Sequence, residues 1–97
     1  MAAVQLQAEI AHAKRAIADL TRQLVEQERL LKGLESWLDR LGNDSEQGRR
    51  ARRAVEDEIA GKRETINVLK QLLDNQLRRL RRLEEQLRRV PQATRPA

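Results

Sequence analysis

Apolar side chains recur at alternating steps of three and four through almost the whole of this chain. The first stripe is Ala3, Leu6, Ile10, Ala13, Ile17, Leu20, Leu24, Gln27, Leu31, Leu34, Leu38 and Leu41, with Gln27 alone polar. The second is Arg52, Val55, Ile59, Lys62, Ile66, Leu69, Leu73, Gln76, Leu80, Leu83, Leu87 and Val90, interrupted by Arg52, Lys62 and Gln76. Such spacing puts one narrow apolar seam on a long helix, and only another helix can bury it. The fold class expected is all-α, a coiled coil.

The rest of the composition agrees. Ninety-seven residues make one domain at most. There is no Tyr or Phe and a single Trp, Trp37, so the large aromatic side chains of a compact core are missing. Charged residues make up 36% of the chain, and Leu and Ala dominate the apolar remainder, as in long helices. No run approaches the roughly 18–20 apolar residues of a membrane span, and the N-terminus lacks the pattern of a signal peptide. The absence of Cys rules out disulfides and thiolate metal sites. It also fits a reducing compartment, so a cytoplasmic location is expected.

The two halves differ in charge. Residues 1–41 carry six basic and six acidic side chains, whereas residues 42–97 carry fourteen and nine, the source of the whole +5. Arginines crowd at Arg49, Arg50, Arg52 and Arg53, and again at Arg78, Arg79, Arg81, Arg82, Arg88 and Arg89. A solvated helix face is the plain reading of such runs; an anionic partner is the alternative.

Punctuation divides the stripes. The pattern predicts a first helix over 3–41, a turn over 42–49 and a second helix over 50–90. Gly42 is suited to the left-handed conformation that ends helices, and Asp44 or Ser45 to capping the next one. Gly48 weakens the turn that follows. Pro91 stops the second helix at Val90, and residues 91–97 read as a disordered tail.

A short break between long helices favours an antiparallel hairpin, giving one hairpin domain over 1–90. The register can be tested on the sequence. Pairing Leu24 with Leu69 and Leu20 with Leu73 also pairs Leu38 with Val55, Ile10 with Leu83 and Leu6 with Leu87. Every a position then meets a d position, and the centre of symmetry falls in the predicted turn. In this register Gln27 faces Ile66, Lys62 faces Leu31 and Gln76 faces Ile17. The three polar residues are not expected to pair with one another, so Lys62→Leu is expected to stabilise.

Signals for catalysis are lacking. The one histidine, His12, lies off the seam with no nucleophile motif near it, the glycines are scattered, and the carboxylates are spread over exposed positions. No cofactor is expected. The arginine-rich second helix lacks aromatics that could stack on bases, and no basic region projects ahead of a parallel zipper. Nucleic acid is therefore a distant alternative, as is an anionic membrane surface.

One patch departs from the pattern. Leu30, Gly33 and Trp37 fall on the g/c flank of the first helix, and Gly61, Thr65, Val68 and Leu72 on that of the second. The register puts both flanks on one broad face, with Leu30 near Thr65 and Trp37 near Glu58 and Gly61. A glycine inside a helix costs about 1 kcal/mol relative to alanine, but it lets a partner approach. Trp is a favoured interface anchor. This face is expected to bind another protein, with Arg63 and Arg79 steering an acidic partner; self-association through helix faces is a further expectation.

The segment Lys32-Gly33-Leu34-Glu35-Ser36-Trp37-Leu38 resembles the Gly-Ala-Glu-x-x-Leu signature of HR1 domains, the antiparallel coiled-coil fingers of Rho-effector kinases, rhophilins and some F-BAR proteins. Gly33, Glu35 and Leu38 match, and Leu34 stands where the family has Ala. The polar turn and the apolar helix through Ile59, Ile66, Leu69 and Leu73 follow the same layout, over roughly residues 6–87. The resemblance implies binding of a Rho-family GTPase through the hairpin surface. An architectural subunit of a tethering or cytoskeletal assembly is the alternative that periodicity alone leaves open.

Overall fold

In the computed structural model, which describes residues 2–91, the chain is an all-α, two-helix antiparallel hairpin. Helix α1 spans Ala3–Arg40 and helix α2 spans Glu46–Arg89. They pack along their length into a rod of 82 × 14 × 14 Å. Predicted positions 92–97 of the tail lie outside the described residues.

The helix ends follow from local chemistry, with two corrections to the predicted turn. Ser45 is the N-cap of α2, and its Oγ accepts a hydrogen bond from the Gly48 amide at 3.0 Å. That bond satisfies one of the amides a helix start leaves unpaired, so α2 begins at Glu46 rather than at 50. Helix α1 does not end in a left-handed glycine. Leu41 is extended, at φ −75° and ψ 129°, and no glycine has positive φ. The turn closes through Gly48 instead. A Cβ there would lie 2.8 Å from the Gly42 carbonyl oxygen and 3.2 Å from Ser45 Oγ. At the far end Val90 is extended, at φ −65° and ψ 124°, as a residue before proline prefers.

The core is the predicted seam in the predicted register. Leu6, Ile10, Ala13 and Leu83 form one buried cluster, flanked by Leu80, Leu87 and Val90. Leu24, Ile66 and Leu69 form a second, flanked by Leu20, Leu31 and Leu73. Val55 and Ile59 are buried nearer the turn. No polar residue is buried as a whole among the described residues.

The polar seam positions behave differently from the sequence expectation. Lys62 Nζ donates to Gln27 Oε1 at 3.0 Å, so these two do pair. Both side chains are long enough to cross from one seam layer to the next, which directly opposed positions do not reveal. Arg52 turns its guanidinium to the end of α1, donating from Nη1 to the carbonyls of Leu38 at 3.1 Å and Leu41 at 3.5 Å. A cation is favoured at a helix C-terminus, where carbonyls are left over and the dipole is negative. Gln76 keeps the expected isolation: its Oε1 is buried and has no hydrogen-bond partner.

Candidate protein-interaction face

With a and d on the seam, positions g and e border it on opposite sides. Two interhelical ion pairs fix which residues share a side. Arg79 and Glu9, both at g, are bonded to each other. Arg63 and Glu35, both at e, pair at 3.3 Å. The g flanks of α1 and α2 therefore adjoin along one broad face of the rod, and the e flanks along the other.

Leu30 and Trp37 at g and Gly33 at c belong to the first face, with Leu72 at g and Gly61 and Val68 at c on α2. All four larger side chains are open to solvent: Leu30 is 38% exposed, Trp37 49%, Val68 51% and Leu72 46%. Nothing lies within 4 Å of where a Cβ would stand at Gly33 or Gly61, so the backbone is open there. Arg79 borders this face through its bond to Glu9. Arg63 does not. It lies on the opposite side, in a shallow cleft with Glu35, Asp39 and Glu56.

The charges on the face are sparse and partly neutralised. Arg29 donates from Nη2 to Glu26 Oε1 at 2.7 Å. This hydrogen bond holds the Glu26 carboxyl below its usual pKa. Most of the basic run on α2 is also paired. Arg78 meets Asp74 at 2.9 Å, and Glu85 receives both Arg88 at 2.7 Å and Arg89 at 3.1 Å. Arg81 and Arg82 form no ion pair among the described residues. Exposed pairs of this kind contribute little to stability, but they lower the density of free positive charge that a polyanion would meet.

A second exposed strip lies on the other side of the seam, outside the residues that stand out from the heptad pattern. Val4 and Val25 are open to solvent on α1, as is Leu77 on α2. Val4, Ala11, Ala18 and Val25 stand seven residues apart at b, beside the e flank. That spacing was the available signal. Among the described residues, no group of three or more His, Cys, Asp and Glu stands together as a metal site, and no helix is long and apolar enough to cross a membrane.

No protein-family model matches this chain, and no curated protein or solved structure matches it.

Proposed function

We propose that the chain is a non-enzymatic protein–protein interaction module, and that Leu30, Gly33, Trp37, Gly61, Val68 and Leu72 form its docking face. The observation that carries this reading is the half-exposed Trp37 on a face that also holds three exposed aliphatic side chains and two uncovered glycines. Seam leucines are consumed by the hairpin, so a partner must use another surface. Elsewhere the surface is mainly charged, and exposed charge pairs add little affinity. A Trp anchor with aliphatic neighbours is the kind of cluster that carries most of a binding energy. Arg79, at the border, affects the rate of encounter with an acidic partner more than the strength of the complex.

The HR1 resemblance makes a Rho-family GTPase the partner to test first. Titration calorimetry with the GTPase loaded with a GTP analogue, and separately with GDP, is the direct experiment. Trp37→Ala should weaken binding by about 2 kcal/mol or more while circular dichroism stays unchanged. Binding that survives Trp37→Ala and Leu72→Asp, but disappears when Arg78, Arg79, Arg81 and Arg82 are neutralised, would replace this face with an anionic-ligand site.

The exposed Val4 and Val25 strip supports a second reading, an architectural coiled-coil subunit that packs against further helices. Loss of assembly with Val25→Lys but not with Trp37→Ala would favour it.

A further inference from the structure

The docking face proposed above is the starting point, and its occupant can be named. On α2 the face is a c/g strip running from Ala51 to Arg89, with steps of three and four like the seam. Its two ends differ in charge. Glu58 lies toward the turn; Arg79, Arg82 and Arg89 lie toward the open end. Neither Glu58 nor Arg82 forms an ion pair among the described residues. Val68 and Leu72, each about half exposed, stand between them.

We propose that a second copy of this chain covers this face, packed antiparallel about a dyad level with Lys70, to make a four-helix bundle. Val68 then lies on Leu72 of the second copy, and Leu72 on its Val68. Glu58 meets Arg82 of the second copy. Gly61, with no atom near the place of its missing Cβ, leaves room for the stem of Arg79 of the second copy. Each contact occurs twice, as an isologous interface requires.

Helix α1 supplies a check. Leu24 and Leu69 share a core cluster, so they lie at one height in the rod. The same dyad must therefore cross α1 level with Gln23, about 2 Å from the midpoint of Leu24 and Val25 about which c and g positions pair. Pairing c with g there sets Gly33 against Ala16, Arg40 against Glu9 and Trp37 against His12 of the second copy. Small residues meet, opposite charges meet, and two flat rings meet. Leu30 facing Asp19 is the one mismatch. The alternatives fit worse. A slip of one heptad moves Val68 off Leu72, onto Thr65 or Arg79. A dyad along the rod axis places Gln23 over Leu72 and Glu26 over Val68.

The test is a charge swap in the full chain, followed by light scattering and sedimentation. The wild type should show twice its 11.2 kDa mass at micromolar concentration, in a particle little longer than 82 Å. Glu58→Arg and Arg82→Glu each place like charges together at two symmetric points, which interfaces strongly disfavour. Each should raise the dimer dissociation constant about tenfold or more, with helicity unchanged. The double variant should recover to within about threefold of wild type. Thr65→Cys with Asn75→Cys, in a chain otherwise free of cysteine, should give a covalent dimer on oxidation. A species of 11.2 kDa at every concentration overturns the proposal. So does a dimer indifferent to Glu58→Arg, or one that the double variant fails to restore. A monomer whose GTPase binding is lost with Trp37→Ala overturns the dimer and leaves the docking face standing. A dimer rescued by the swap that binds no GTPase supports the dimer and removes the GTPase.

Discussion

Lys62 and Gln27 are joined across the hairpin, ammonium to amide oxygen, at 3.0 Å. Their seam positions are not directly opposed, so the bond runs between layers. It changes what removal of the lysine should do. Lys62→Leu alone adds packing but strands a half-buried amide oxygen, and an unpaired buried acceptor costs about 1–3 kcal/mol. The gain expected from the heptad pattern alone should thus be absent. Lys62→Leu with Gln27→Leu removes both partners and should melt above wild type. A double-mutant cycle in urea should show coupling of about 1 kcal/mol; strict additivity would mean the bond contributes nothing.

Gln76 is the better single target. Its Oε1 is buried and unpaired between the two core clusters. Gln76→Leu should stabilise by about 1–3 kcal/mol, the penalty for an unsatisfied polar group. A melting temperature at or below that of wild type would show that the amide has a partner in solution.

Arg52→Met keeps much of the aliphatic stem and removes the guanidinium from the Leu38 and Leu41 carbonyls. The site is about one-third exposed, so the expected cost is modest, about 1 kcal/mol. Amide exchange should accelerate around Leu38 and Leu41 and stay unchanged near Leu6. Uniform acceleration would instead indicate a loss of global stability.

The glycines should separate into two kinds. Gly48→Ala places a Cβ 2.8 Å from the backbone oxygen of Gly42, so the turn must shift and stability should fall. Gly33→Ala meets open space in the hairpin and should stabilise the single chain by about 1 kcal/mol. Denaturation of both variants in the Glu58→Arg background isolates the hairpin from any association.

Leu24→Ala, in the second buried cluster, should cost about 2–4 kcal/mol. Leu73→Ala should cost less, because Leu73 is only partly buried. Chemical denaturation of the pair checks the order.

The seam, its register and the antiparallel course were legible because a heptad stripe leaves few choices: once Leu24 meets Leu69, the other layers follow. Val90 and Pro91 marked the end of α2 by backbone sterics alone. The turn was harder, since the reason for Gly48 is the approach of Gly42, a contact made only once the chain has reversed. Arg52 as a cap and Lys62 as a donor also depend on groups distant in sequence. On the candidate face, the g and c positions of Leu30, Trp37, Val68 and Leu72 were readable from the period. The side on which Arg63 lies follows from the same labels, since e and g border opposite edges. What covers the face depends on a second molecule, and one chain's heptads speak to that only through complementary charges.

Leu6 packs with Leu87 and Val90, which brings Ala2 and Pro91 out together at one pole of the rod, far from Leu41–Ser45 at the other. Tension applied between Ala2 and Pro91 therefore acts across the seam rather than along it. Layers open in succession, beginning at Leu6 and finishing beside Val55, in the manner of a zipper. The same rod pulled with one helix held at the turn and the other at the open pole would load every layer in shear at once. Its resistance to force is thus decided by where the load is attached.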